Sequence, residues 1–132
     1  MIAGTGSGCG KTTVALAVLR AMQRRNIPLA AFKCGPDYID PMFHKAVLGI
    51  PSRNLDLFFI SEREVRGQIV RSIPQNGLGV IEGVMGFYDG VSGTTDTASA
   101  AHLARETGTP AILVVRPKGQ SLSLAAMLSG FR

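Results

Sequence analysis

The sequence of 132 residues contains no tryptophan, two cysteines and only 6% aromatic residues. Cys9 and Cys34 offer neither a disulfide framework nor a metal-binding spacing. They read as small apolar residues of a chain kept in a reducing compartment. Charged residues are also scarce, at 17%, yet the longest stretch without one, residues 119–131, is only 13 residues long. A membrane-spanning helix needs ~20, so no membrane partner is expected. No basic segment leading into an apolar core opens the sequence, so the expectation is a cytoplasmic protein without a secretory leader. A hydrophobic fraction of 45% excludes a disordered tail or a low-complexity polymer.

Glycine is what the sequence has in plenty: 16 residues, in short groups beside apolar runs. That placement suits tight strand-to-helix turns that bring backbone close to a ligand. Fourteen Lys+Arg against nine Asp+Glu give a net charge of +5. Arg20, Arg24, Arg25, Arg63, Arg66 and Arg71 recur at helix-like spacings rather than in one block. They read as solvated helix faces, and no nucleic-acid partner is expected.

Residues 1–3 are a short apolar stub running into a glycine-rich loop. From Lys11, Val14, Val18, Ala21 and Met22 recur at helical spacing until Asn26-Ile27-Pro28 stops the helix. Residues 29–32 read as a buried strand. A polar, irregular segment follows to about Arg53, with one short helix around 43–47. Ser61 and Glu64 have capping-box spacing, which predicts a helix over 62–73. Residues 78–81 form a second strand, 86–95 a glycine-rich loop and 98–107 a helix closed by Gly108 and Pro110. A third strand at 111–115 and a last helix at 121–128 complete the pattern. Apolar strands alternating with helices predict an α/β fold with a mostly parallel sheet covered on both faces.

The most informative stretch is Gly4-Thr5-Gly6-Ser7-Gly8-Cys9-Gly10-Lys11-Thr12-Thr13. A strand, a glycine-rich curl and a helix N-terminus in succession cradle a polyphosphate through inward-pointing backbone N–H groups. Lys11 supplies a point charge for the β/γ-phosphates and the Thr12 hydroxyl a ligand for Mg²⁺. Gly6, Ser7, Gly8, Cys9, Gly10, Lys11, Thr12 and Thr13 are therefore the candidate nucleotide-binding residues. Five residues separate Gly4 from Gly10, one more than the usual pattern allows. Glu82 ends the second strand, where a Walker-B carboxylate sits, and ligands of open α/β sheets bind along that carboxyl edge. Asp37 and Asp40 follow the first strand onto the same edge, and Asp89 lies in the next loop. Each alone reads as a turn cap, whereas together beside a phosphate loop they point to metal or substrate work. Lys33, at the tip of its strand, is a surface lysine or a second phosphate contact.

Three further segments identify the chain as resembling a known family: Lys33-Cys34-Gly35-Pro36-Asp37-Tyr38-Ile39-Asp40-Pro41, Pro51-Ser52-Arg53-Asn54-Leu55-Asp56, and Glu82-Gly83-Val84-Met85-Gly86-Phe87-Tyr88-Asp89-Gly90. They closely resemble the cobyrinic acid a,c-diamide synthase family, and the five-spacer loop is similar to that family and to dethiobiotin synthetase. The resemblance implies a P-loop NTPase-like domain, incomplete here, in which residues 1–132 form the N-terminal part of an ATP-dependent amidoligase. It also implies a C-terminal glutamine amidotransferase domain, which this chain is expected to lack. It implies that MgATP phosphorylates a side-chain carboxylate of a corrin-type tetrapyrrole and that ammonia from glutamine then displaces the phosphate. Two carboxylates, a and c, are treated in turn.

Residue by residue, the resemblance assigns Lys11 and Thr12 to phosphate and metal, and Glu82 to metal. It assigns Asp37, Asp40 and Asp89 to metal or catalytic positioning, with Asp37 as the metal ligand beside Thr12 and Glu82, and Tyr38 and Ile39 to the tetrapyrrole. A homodimer is one arrangement it admits. Arg116-Pro117-Lys118 departs from the small or acidic residue more usual after the last strand. The alternatives are the same chemistry on hydrogenobyrinic acid or nickel sirohydrochlorin, or a non-enzymatic ATPase switch of the partitioning type. The switch carries a lysine five residues before the P-loop lysine, where this chain has Gly6. The 132 residues alone are expected to be inactive.

Overall fold

The computed structural model describes residues 1–131; Arg132, the last residue of the expected unit, lies outside the described residues. In chain order the elements are β1 (Ile2–Gly4), α1 (Lys11–Gln23), β2 (Leu29–Cys34), α2 (Ile39–Leu48), β3 (Ser52–Leu55), α3 (Glu62–Ser72), β4 (Leu78–Glu82), α4 (Ala100–Thr107), β5 (Ile112–Val114) and α5 (Ser123–Ser129). The strands form one sheet in the order β3-β2-β4-β1-β5, and every pairing is parallel. The α/β reading of the sequence holds. No helix among the described residues is long and apolar enough to cross a membrane.

The strict alternation of a strand splits the core into two layers. Ala30, Phe32 and Cys34 of β2 and Ile81 of β4 face α3 and α4, where Val65 and Leu103 close over them. Ala31 and Val80 face the other way, against Ala15 and Leu19 of α1 and Leu48 of α2. Phe32 is fully buried, a burial that stabilises the fold by about 1.5–3 kcal/mol. Gly79 on the neighbouring strand has no room for a Cβ beside Phe32 and Ile73, the residue that ends α3.

The 1–3 stub is the strand that leads into the glycine-rich loop, short but paired on both sides by β4 and β5. Two features differ from the sequence reading. The segment read as irregular holds α2, longer than the expected 43–47, and a fifth strand, β3. Pro41 is tolerated in the first turn of α2 because the N–H it lacks there would have no partner within the helix. β3 is an edge strand of Ser, Arg and Asn before Leu55, only the last of which is fully buried, so it carries no apolar signal. The Ser61 cap and its reciprocal partner Glu64 form as expected. α5, in contrast, has no buried residue, and Ile112 of β5 is 62% exposed.

Candidate functional site

The phosphate loop runs from β1 into α1. Gly10, at the N-cap, has φ 104°, a backbone conformation that only glycine adopts without strain. Gly4 is needed for space, since a Cβ there would overlap Cys9 Sγ and crowd the Lys11 stem. Around Gly6, Gly8 and Gly10, by contrast, a Cβ would meet nothing, so the loop backbone stands open to the cleft. Lys11 curls back over it: Nζ donates to the carbonyls of Gly6 at 2.8 Å and Met85 at 2.6 Å. Met85 presents that carbonyl from a left-handed conformation, φ 41°.

Parity and register build the other half of the site. Lys33 pairs with Glu82 across β2 and β4. Each lies two residues beyond a side chain of the α1/α2 layer, Ala31 and Val80, so both project into that layer. There they meet the first turns of the two helices. Glu82 Oε1 accepts from Thr12 Oγ1 at 2.6 Å and from Lys33 Nζ at 3.1 Å. Glu82 Oε2 lies 3.1 Å from His44 Nε2, and His44 Nδ1 lies 2.9 Å from Ser52 Oγ. Lys33 also pairs with Asp40 and donates to the Gly83 carbonyl at 3.1 Å.

The centre of this cluster is enclosed: Lys33, His44 and Glu82 are 3%, 1% and 1% exposed. Burial alone would raise the Glu82 pKa. The hydrogen bonds from His44 and Thr12 and the charge of Lys33 outweigh it and hold the group down at about 2. For Lys33 burial favours the neutral amine, but the Asp40 hydrogen bond and the Glu82 charge hold its pKa above the ordinary value. Cys34, behind the sheet, is pushed up to about 12 by burial and behaves as an apolar residue, as expected.

The expected site residues gather unevenly. Ser7, Gly8, Gly10, Lys11, Thr12, Thr13, Lys33, Asp37, Asp40 and Glu82 line one cleft of about 440 Å³. Lys33 is not a surface lysine: it is buried, and its ammonium pairs with Asp40 and Glu82. Asp40, not Asp37, approaches Thr12, at 3.5 Å. Asp37 spends Oδ1 on the Ile39 and Asp40 N–H groups at the start of α2, with Oδ2 3.7 Å from Lys33 Nζ. Asp89 stands apart: it accepts from the Gly86 N–H at 2.7 Å and lines a neighbouring apolar cleft with Phe58 and Phe59. It thus fixes the turn that follows Met85. Tyr38 and Ile39 are 80% and 66% exposed just beyond Asp37. Cys9 Sγ lies 4.0 Å from Lys11 Nζ.

The sequence reading gave His44 and Ser52 no role, although Ser52 lies in one of the segments that carry the family resemblance. For His44 the available signal was the i,i+4 spacing of Asp40, His44 and Leu48, which places all three on one face of α2.

Known proteins resemble this chain along its length. Residues 1–102 match the model of the CobQ/CobB/MinD/ParA nucleotide binding domain. The chain is 46% identical to the cobyrinate a,c-diamide synthase of Salmonella typhimurium over 132 residues, which is 100% of this chain and 29% of that protein. It is 48% identical to the enzyme of that name from Clostridium acetobutylicum over 131 residues, 98% of this chain and 29% of the relative. The corresponding figures for Methanothermobacter thermautotrophicus are 42% over 134 residues, 100% and 30%. The chain thus spans about three tenths of the length of these relatives.

Proposed function

The chain belongs to the CobQ/CobB/MinD/ParA nucleotide binding domain family, and from that premise we propose that it is the ATP-binding part of a carbon–nitrogen ligase that amidates cobyrinic acid. The observation that carries the reading is the convergence of Lys11, Thr12, Asp40 and Glu82 on one cleft beside an open phosphate loop. The substrate comes from the relatives' name, cobyrinate a,c-diamide synthase.

In this reading an oxygen of the substrate's a or c carboxylate attacks the γ-phosphorus of ATP, and the bond to ADP breaks. Ammonia then attacks the acyl carbon, a proton is lost, and phosphate leaves with the C–O bond pair to give the amide. Phosphorylation turns a poor leaving group into a good one, so the protein's task is to position the groups and neutralise charge. The N–H groups of residues 6–13 would hold the phosphates. Lys11 would exchange the Gly6 and Met85 carbonyls for phosphate oxygens.

The hydroxyl and carboxylates at the cleft form an all-oxygen donor set, which fits Mg²⁺, a hard cation. Thr12 and Glu82 would hold it, with Asp37 or Asp40. When bound, Mg²⁺ supplies positive charge that offsets the charge on the phosphoryl oxygens. Lys33 would serve as a second phosphate contact once its carboxylate partners turn to the metal. Asp89 would position the loop that carries Met85, and Tyr38 and Ile39 would face the tetrapyrrole. Glutamine, through an amidotransferase part of the longer protein, or free ammonia would supply nitrogen for this step of cobalamin biosynthesis.

The test uses the protein expressed from its complete reading frame, with ATP, Mg²⁺ and glutamine. Mass spectrometry should show cobyrinic acid gaining two amides, with one ADP formed per amide. Lys11→Ala should lower kcat/KM by a factor on the order of 10²–10³. Amidation that survives Lys11→Ala would sink the proposal. Turnover of hydrogenobyrinic acid or nickel sirohydrochlorin in place of cobyrinic acid would keep the chemistry and correct the substrate.

A further inference from the structure

Glu82 takes three hydrogen bonds in the cleft, and its two oxygens face different neighbours. Oε1 lies toward the nucleotide side, where Thr12 and Lys33 reach it. Oε2 faces away, into the space between α2 and the sheet, where the His44 ring receives it. A carboxylate only accepts hydrogen bonds, so His44 Nε2 must carry the proton that bridges the 3.1 Å gap. In the neutral ring, Nδ1 is then the acceptor, and the Ser52 hydroxyl 2.9 Å away is its donor. The chain Ser52–His44–Glu82 therefore runs in one direction of donation, from the edge strand β3 through α2 to the end of β4. Nothing else holds the ring: among the described residues these are its only hydrogen-bond partners.

We propose that His44, seated by Ser52, is the positioning residue for Glu82: it fixes the carboxylate so that Oε1 alone is presented to Thr12 and the metal that accompanies the nucleotide. This rests on the Mg²⁺-nucleotide reading given above. The edge strand β3, which contributes nothing else to the cleft's charged cluster, thereby becomes part of the metal-binding machinery. Groups that orient metal ligands in this way carry a large share of metal affinity.

Substitutions that copy one ring nitrogen at a time separate positioning from simple core filling. The amide of glutamine at position 44 reaches the place of Nε2 and can donate to Glu82, whereas that of asparagine reaches only the place of Nδ1. ADP binding by the protein from its complete reading frame is measured by calorimetry, with Mg²⁺ and then with EDTA. In the native protein Mg²⁺ should tighten ADP binding. His44→Asn should reduce that tightening about tenfold while leaving affinity in EDTA unchanged. His44→Gln should keep most of it.

Equal losses in the two variants, or an equal loss with EDTA, would show that the ring only fills space and would overturn the proposal. If His44→Asn does not fold, Ser52→Ala decides: it should also weaken the Mg²⁺ effect without touching binding in EDTA, and an unchanged Mg²⁺ effect refutes the relay. A native protein that binds ADP with no Mg²⁺ effect would refute the metal reading itself, an outcome distinct from a Mg²⁺ effect that His44 does not influence.

Discussion

Two clusters of charge in this molecule use similar residues and differ in almost everything that follows. One joins Lys33, Asp37, Asp40, His44 and Glu82 at the carboxyl edge of the sheet. The other joins Glu62, Arg66, Arg105, Glu106 and Asp96 on the outside of α3 and α4. The outer cluster even offers a trio, Glu62, His102 and Glu106, whose ligand atoms lie within 4.8 Å of one another. Arg66, however, already supplies their cation, 3.4 Å from Glu62 and 3.6 Å from Glu106. Water and salt screen such pairs. At the sheet edge Lys33, His44 and Glu82 are out of water, so each depends on its partners. Burial, not residue type, distinguishes the site from the decoration.

Breaking the inner cluster should have the largest effect on stability. Lys33→Met leaves Glu82 and Asp40 without their ammonium, and unfolding in guanidinium should show a loss of about 3–5 kcal/mol. A loss no larger than that of a surface pair would erase the contrast.

Acid should sharpen it next. The Glu82 proton binds more weakly in the folded protein, at about 2, than in the unfolded chain, near 4.5. The stability it contributes is therefore complete above pH 4.5 and is lost as the pH falls toward 2. Glu82→Gln should flatten that part of the stability profile, and an unchanged slope would contradict the assignment.

The smallest effect belongs to the outer cluster. Arg105 and Asp96 form a 2.8 Å pair with side chains 58% and 38% exposed. Arg105→Ala should leave the melting temperature unchanged within error, in low salt and in high. A clear drop would mean that the outer network holds α4 in place.

The contrast also shows where the sequence was readable. The phosphate loop is a local device, in which glycines, Lys11 and Thr12 lie within ten residues and the helix start completes them. The capping box at Ser61 is local in the same way. β3 was invisible because an edge strand of Ser52, Arg53 and Asn54 buries too little to leave an apolar pattern. α2 was read short because Pro41 signals a break, although the first helical turn tolerates it. Asp37 and Asp40 could both be placed on the correct edge of the sheet. Which of them approaches Thr12 depends on where α2 begins.

The sequence by itself thus determined the parallel α/β class and the polyphosphate loop. It also determined the edge of the sheet at which the acids collect. All of these follow from spacing along the chain, since periodicity, glycine placement and strand ends are local properties. The tertiary structure alone decided that Lys33 faces Glu82 rather than solvent, that Asp89 stands apart, and that His44 and Ser52 close on Glu82 from two other elements. Those contacts span up to 49 residues of chain. They exist because parallel register and strand parity turn both side chains to one layer, where burial compels every charge to find a partner.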